Sequence, residues 1–435
     1  MFRLGWFLGN GFGMQPWYGN WTGRAVTEWT QPSMYVDLTT SLERAGFDLL
    51  FIEDTSMVED TYGSSMETTL KYGLMAPKND PIPLVPLLAQ ATEHIGIVAT
   101  MSTIQYPPYL AARSMVTLDH LTKGRVGINV VTSVSHRVAQ NFGLDKHFEH
   151  AERYAMADEW MEVVSQLWDS WEPDALVHDT ETPRYADHTK VHPIDFEGKY
   201  FKCRGPLNTI PGPQRRPVVA QAGNSHPGRD LAARHADTML ALAKTPEQMK
   251  ALRQDMDRRL IEHGRKPQDL KILFMATPYL GDTDAEAQER FNRFDKAKHD
   301  PDNIEKRLWY LSYVSGGVVD YRKYDLDGPV PQEIGNGETT TAKAWLAGSE
   351  NITLRDLATG PANYGMEFVG SPDTMAAQMG EVMAEAGGDG FLMYPDVTRR
   401  SIMEVCDGLA PALRKRGLIR DGFAHKTFRE NLMDF

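Results

Sequence analysis

Arg125 to Tyr154 reads RVGINVVTSVSHRVAQNFGLDKHFEHAERY. The stretch opens with a β-branched run (Val126, Ile128, Val130, Val131), breaks into small polar residues (Thr132, Ser133, Ser135) and ends where a long amphipathic helix begins. Strand, working loop and helix start in that order form one unit of a parallel α/β chain. Asn129 stands inside the apolar run, where an amide must find hydrogen-bond partners or cost stability. By spacing alone it reads as a satisfied core amide. His150 and Tyr154 are four apart, so on a helix starting near His150 both project from one face, back toward its N-terminus. Helix N-termini attract anions.

The same unit repeats outward in both directions. Residues 3–8 (RLGWFL), 48–54 (DLLFIED), 95–103 (IGIVATMST), 217–225 (PVVAQAGNS), 238–243 (TMLALA), 270–281 (LKILFMATPYLG) and 390–394 (GFLMY) read as further strands. Helical patterns separate them over residues 33–45, 84–93, 107–124, 151–171, 225 onward, 245–263, 284–298, 372–386 and 399–416. Eight strands alternating with helices predict an α/β fold, most simply a (β/α)8 TIM barrel with insertions. Two excursions interrupt the rhythm. Residues 172–215 lack the apolar periodicity for a core of their own, and residues 299–365, rich in Gly, Thr and Asp, are a candidate lid over a site. The expectation is one elaborated domain over residues 1–435, with a polar tail.

Barrel chemistry gathers at the C-terminal ends of the strands. Asp54, Thr100, Ser102, Asn129 and Ser225 all fall there. Glu53 and Asp54 are adjacent, so within a strand they would point to opposite faces and at most one would face a site. Gly223 allows close backbone approach, and Ser225 is placed as an N-cap whose neighbouring amides could hold a phosphate; a cap with no ligand reads equally well. The GNGFG after the first strand is not a dinucleotide fingerprint, because Met14 stands where the third glycine would be. It opens an aromatic loop, with Phe12, Trp17, Tyr18 and Trp21, that either packs or lines a pocket.

Composition narrows the partners. The chain has 435 residues and a formal net charge of −13, with no basic run, which argues against nucleic acid and anionic membrane. Two cysteines, Cys203 and Cys406, are too few for a disulfide framework or a zinc site, so a cytoplasmic setting and no metal are expected. The first residues carry neither a signal-peptide pattern nor a spanning helix.

Several motifs in order (ATMSTIQYPPYLAARSMVTLDHLTKGRVGINVVTS, NFGLDKHFEHAERY, LWDSWEPDA, KVHPIDFEGKYFKCRGPL and PVVAQAGNSHPGRDLAARHAD) resemble the bacterial luciferase-like flavin monooxygenases. More narrowly, they resemble the branch holding nitrilotriacetate, EDTA, dibenzothiophene sulfone, dimethyl sulfide and long-chain alkane monooxygenases. The likeness runs from about Phe47 to Asp237 and continues thinly through DGPVP, VGSPDTMAAQM, GGDGFLMYP and KTFRENL.

The resemblance implies reduced flavin mononucleotide (FMNH2) across the barrel mouth, contacted by Asp54, Thr100 and Asn129, with His150, Tyr154 and Ser225 at its phosphate. Ser102 and Gly223 complete the expected cofactor contacts. It places Asn129 and Thr100 where dioxygen (O2) reacts, as neutral groups that stabilise developing negative charge. No nicotinamide fingerprint is present, so a separate NAD(P)H:flavin reductase is implied, and a homodimer or homotetramer is expected from the family. The first loop lacks the histidine that relatives often carry, which leaves the substrate open. Its aromatics and the absence of a basic cluster favour a small apolar or sulfur-containing compound. The rival readings are a deazaflavin (F420)-dependent oxidoreductase, a non-catalytic flavin-binding protein and a hydrolase using Asp54 and His150. The hydrolase lacks both a metal cluster and a nucleophile elbow.

Overall fold

The computed structural model describes residues 1–15, 25–361 and 365–435. Its centre is a closed barrel of parallel strands: β1 (Arg3–Leu8), β2 (Leu49–Ile52), β3 (Gly96–Ser102), β4 (Val126–Val131), β5 (Val218–Ala222), β6 (Thr238–Ala241), β7 (Lys271–Leu280) and, after one further strand, β9 (Gly390–Met393). Each pairs with the next in that order. β9 returns to β1 through Arg3↔Gly390, so no edge is left open. The near-continuous burial of β2, β3 and β4 suits strands covered on one side by helices and on the other by the barrel interior. All eight barrel strands lie where the sequence predicts them.

One strand departs from that reading. Residues 366–370 form β8 (Met366–Gly370), which pairs in parallel with the outer half of β7, from Ala276↔Met366 to Leu280↔Gly370. β7 is ten residues long because it does two jobs. Its first half closes the barrel against β6 and β9, and its second half carries β8 and raises one wall of the mouth.

The shell of helices packs on the outer face of the strands, with Trp6, Phe47, Trp160 and Phe274 at most 0 % exposed. Inside the barrel lie Leu49, Phe51, Val98, Val218, Leu273 and Leu392, and the floor is filled from elsewhere. The expected polar tail ends in a helix, Phe428–Met433, opened by a reciprocal Thr427/Glu430 cap. Its Phe428 seats under the strands: a Cβ added to Gly96 would lie 2.3 Å from the Phe428 ring. That is why glycine opens β3.

The two excursions differ. Residues 172–215 form two small hairpins, Leu176–Asp179 with Arg184–Ala186 and Phe196–Glu197 with Lys202–Cys203. They have no core of their own; Ile194, Phe196 and Phe201 lean on the main one. Residues 299–365, expected to be a polar insertion, contain the helices Pro301–Val314, Thr339–Leu346 and Leu354–Thr359 around a second core of Leu308, Trp309, Leu311, Trp345 and Leu354. The physical reason is the Ile304, Leu308, Leu311 stripe, a helical spacing inside a polar composition.

This unit is docked over the barrel mouth. Trp309 Nε1 donates to Thr69 Oγ1 at 2.7 Å, and the buried Glu59 beneath accepts from Thr61 N at 3.0 Å and Ser135 Oγ at 2.9 Å. The final helical segment, 399–415, is continuous but widens to a π turn over Glu404–Leu409. Of the first aromatic loop, Phe12 packs edge-on against Tyr35 in the core at 5.1 Å. Trp17, Tyr18 and Trp21 lie outside the described residues.

Candidate active site

At the C-terminal ends of the strands the barrel opens into a cavity of about 1620 Å³. All eight residues singled out in the sequence, Asp54, Thr100, Ser102, Asn129, His150, Tyr154, Gly223 and Ser225, border it.

On its floor Asn129 and Thr100 sit side by side, as their paired register on β4 and β3 requires. The Thr100 hydroxyl donates to the Ile52 carbonyl at 2.7 Å and accepts from Asn129 Nδ2 at 2.9 Å. Since the threonine hydrogen is engaged by a carbonyl, its oxygen can only accept, and this fixes the amide orientation of Asn129. Asn129 Oδ1 is then left buried with no hydrogen-bond partner among the described residues. Such an orphan is costly unless a ligand or water completes it. Ser102 shares a hydrogen bond of 2.7 Å with Ser133, which adopts a left-handed φ of 59° just past β4.

A second corner forms where the His150–Trp168 helix meets the start of the His226–His235 helix. Ser225 caps the latter, accepting from Gly228 N at 3.2 Å. Burial raises the pKa of the Tyr154 phenol, while hydrogen bonds to Ser225 and Gln221 pull it back. A Cβ on Gly223 would lie 3.0 Å from the Tyr154 hydroxyl and one on Gly228 3.1 Å from it, so both glycines admit the close approach of that hydroxyl. Gln221 Oε1 and Asn224 Oδ1 are buried beside it without partners among the described residues. His150 packs 5.1 Å from the Tyr154 ring, and burial, then the charge of Arg153, lowers its pKa.

Arg153, which sequence reasoning passed over, is 1 % exposed and lines the cavity. Its guanidinium donates to Ser133 O, to Asn336 O at 2.6 Å and to Gly337 O at 3.1 Å. Asn336 in turn accepts from His150 N at 2.9 Å and donates to Phe148 O at 3.0 Å. The second excursion is therefore fastened to the N-terminus of the helix that carries His150 and Tyr154. The signal was present in the HAERY motif, where Arg153 sits one turn from His150. His147, also missed, accepts from Phe148 N at Nδ1 and donates through Nε2 to Thr132 O at 2.8 Å. Burial, then Arg153, pushes its pKa down to about 4.

Carboxylates line the wall beside β2. The strand ends at Ile52, so the strict alternation of a strand does not apply to the two residues after it, and both Glu53 and Asp54 border the cavity. This corrects the expectation that only one would. Glu53 is ion-paired with the buried Lys78. Among the described residues Asp54 has no such cation in contact; burial first, then the neighbouring Glu53, pushes its pKa up to about 7. The excursion adds Glu338, whose pKa burial also raises. Among the described residues no group of three His, Cys, Asp or Glu converges as a metal site, and no helix is long and apolar enough to cross a membrane.

A family-wide sequence profile described as luciferase-like monooxygenase matches residues 2–390. Nitrilotriacetate monooxygenase component A of Aminobacter aminovorans is 34 % identical over 427 residues, spanning 95 % of this chain and 93 % of the relative. Among solved structures, the long-chain alkane monooxygenase LadA superposes with a TM-score of 0.87 at 33 % identity, over 99 % of this chain and 95 % of that one. A riboflavin lyase, RcaE, solved with modified FMN and riboflavin, gives 0.86 at 28 % identity, over 100 % and 96 %. An F420-dependent secondary alcohol dehydrogenase gives 0.57 at 16 % identity, a likeness of fold alone.

Proposed function

Since this chain belongs to the luciferase-like monooxygenases, we propose that it uses reduced FMN and dioxygen to oxygenate a small organic substrate. The observation that carries the reading is that the anion corner of Tyr154, Ser225 and Gly223 and the Asn129–Thr100 pair border one cavity.

The residues present fit a flavin. Three buried acceptors, on Asn129, Gln221 and Asn224, have no partner among the described residues, and the absence of side chains on Gly223 and Gly228 lets the Tyr154 hydroxyl approach the start of the helix. Tyr154, Ser225 and His150 would hold the phosphate, near the buried positive charge of Arg153 and at a helix N-terminus. Asn129 would offer its unpaired oxygen to a ring N–H, with Thr100 fixing it in place; Asp54 and Ser102 would complete the surround. Bound there, reduced FMN supplies the electrons that activate dioxygen.

The protein's part is electrostatic and positional. Asn129 supplies a dipole without a ready proton, and the docked excursion keeps bulk water from the floor. Electrons come from a separate NAD(P)H:flavin reductase, which makes this chain the oxygenase of a two-component system. That agrees with the name of the nitrilotriacetate relative, which is component A of its monooxygenase. A relative named dimethyl-sulfide monooxygenase, and the alkane enzyme, favour an organosulfur or apolar reacting centre. A cytoplasmic homodimer or homotetramer completes the reading.

Rapid mixing of protein and chemically reduced FMN with oxygenated buffer tests it. The flavin absorbance should return more slowly on the protein than in buffer, and substrate should accelerate that return. Return at the free-flavin rate would remove the oxygenase reading.

A further inference from the structure

Three amides bordering the cavity share a pattern: each engages its nitrogen with the protein and leaves its oxygen buried. Asn129 Nδ2 donates to Thr100 Oγ1 at 2.9 Å, and Asn224 Nδ2 donates to the Leu242 carbonyl at 2.9 Å. Gln221, 3 % exposed, shares a hydrogen bond with the Tyr154 hydroxyl. Among the described residues Asn129 Oδ1, Gln221 Oε1 and Asn224 Oδ1 have no hydrogen-bond partner. The Asn224 amide is oriented as firmly as that of Asn129, because the Leu242 carbonyl can only accept.

Their order follows from β5. Ala220 stands opposite Asn129 in the parallel register, Gln221 comes next, and Asn224 directly precedes Ser225, which caps the following helix. Gln221, Asn224 and Ser225 all border the cavity. A Cβ on Gly223 would lie 2.7 Å from Gln221 Nε2 and 3.0 Å from the Tyr154 hydroxyl, so the Gln221 amide adjoins the anion corner. The end of β5 thus runs from the floor at Asn129 to the corner at Tyr154 and Ser225, and the Gln221 and Asn224 amides lie on that run.

We infer that Gln221 and Asn224 are cofactor-binding residues whose unpaired oxygens receive hydroxyl hydrogens of the ribityl chain, the polyol that joins a flavin ring to its phosphate. The inference rests on the flavin reading, which sets the ring at Asn129 and the phosphate at Tyr154 and Ser225. A hydroxyl brings the donor that each oxygen lacks, and its own oxygen stays available to accept. An apolar chain in the same place would leave both oxygens buried and unpaired. Gln221 then serves both ends of the linkage, its nitrogen holding Tyr154 for the phosphate and its oxygen holding the chain.

The test is fluorescence titration with FMN, with riboflavin and with 10-pentyl isoalloxazine, whose chain matches ribityl in length and has no hydroxyls, repeated on Gln221→Met and Asn224→Ala. Wild-type protein should bind riboflavin about tenfold or more tighter than the pentyl flavin, the scale of an unsatisfied buried acceptor. Each variant should shrink that ratio about three- to tenfold by weakening riboflavin and not the pentyl flavin. If Gln221 only supports Tyr154, Gln221→Met weakens FMN while the ratio stays at its wild-type value, and the inference is overturned. A wild-type protein that binds riboflavin and the pentyl flavin alike overturns it without any variant and leaves the flavin reading standing. Wild-type protein that binds neither FMN nor riboflavin removes that reading, and this inference with it.

Discussion

The Asn129 amide nitrogen donates to the Thr100 hydroxyl at 2.9 Å, and that hydroxyl's own hydrogen is engaged by the Ile52 carbonyl at 2.7 Å. Thr100 therefore acts through Asn129, as the group that fixes which end of the amide is left unpaired. Asn129→Ala should keep FMN affinity within a few-fold but lower product formed per reduced flavin consumed by about tenfold or more, the scale of one lost donor or acceptor in a closed site. Thr100→Ser should retain coupling and Thr100→Val should lose it, read as product against hydrogen peroxide released. Full coupling in Thr100→Val would remove this role.

At the anion corner, Tyr154→Phe and Ser225→Ala should each weaken FMN binding by about three- to tenfold, one modest hydrogen bond apiece. Gly223→Ala should do more, because its new methyl meets the Tyr154 hydroxyl at 3.0 Å and Gln221 Nε2 at 2.7 Å. Fluorescence titration of FMN reads both effects; riboflavin, which has no phosphate, should be much less sensitive to the tyrosine and serine changes.

Asp54 gives a stability signature of defined sign. Its pKa rises from the ordinary 3.8 to about 7 on folding. Between those values the folded protein retains a proton that the unfolded chain has released, so this group lowers stability as pH rises through the window, fully so above it. Asp54→Asn should gain stability over wild type between pH 5 and pH 8 in urea unfolding of flavin-free protein. A constant difference across that range would contradict the shift.

His147 runs the other way. Its pKa falls from 6.5 to about 4 in the fold, so across that window the unfolded chain binds the extra proton and stability is lost on acidification. His147→Gln, which keeps a donor toward Thr132 O, should unfold less steeply with falling pH between 6.5 and 4. An identical acid slope would show that the imidazole is not the group responsible.

Arg153 and Asn336 should behave as one clasp. Removing either leaves carbonyls and amides of the other side unpaired, so Asn336→Ala should loosen residues 299–365 against the barrel. The readouts are faster proteolysis within the excursion and weaker FMN binding, with the double variant Arg153→Met/Asn336→Ala little worse than the more affected single one, since contacting residues are not additive.

Much of this was legible in the chain itself. The barrel strands announce themselves because each is a short apolar run bounded by turn residues, and Asp54, Thr100, Asn129 and Ser225 follow from being polar where those runs end. β8 was not legible, since Met366–Gly370 alternates buried and half-buried residues and carries Glu367, which reads as more of the polar excursion before it. Arg153 and Glu338 gain meaning only from partners or neighbours far away in sequence. The cations around the cavity illustrate the same limit: Arg290, Lys298, Arg307 and Arg400 form no run in the sequence, yet the fold gathers them at one cavity.

Phe428 has a bearing on how the molecule is made. The side chain that seals the barrel floor sits against Gly96 and Gly127, strands from the opposite part of the chain. Loop closure over such a separation comes late and is entropically expensive, and non-local contacts of this kind slow folding. The barrel walls can therefore assemble around an unsealed floor, a partly folded species with its apolar interior open to water at one end. Phe428→Ala should accordingly change the rate of unfolding more than that of folding, because the contact it removes belongs to the last step of closure.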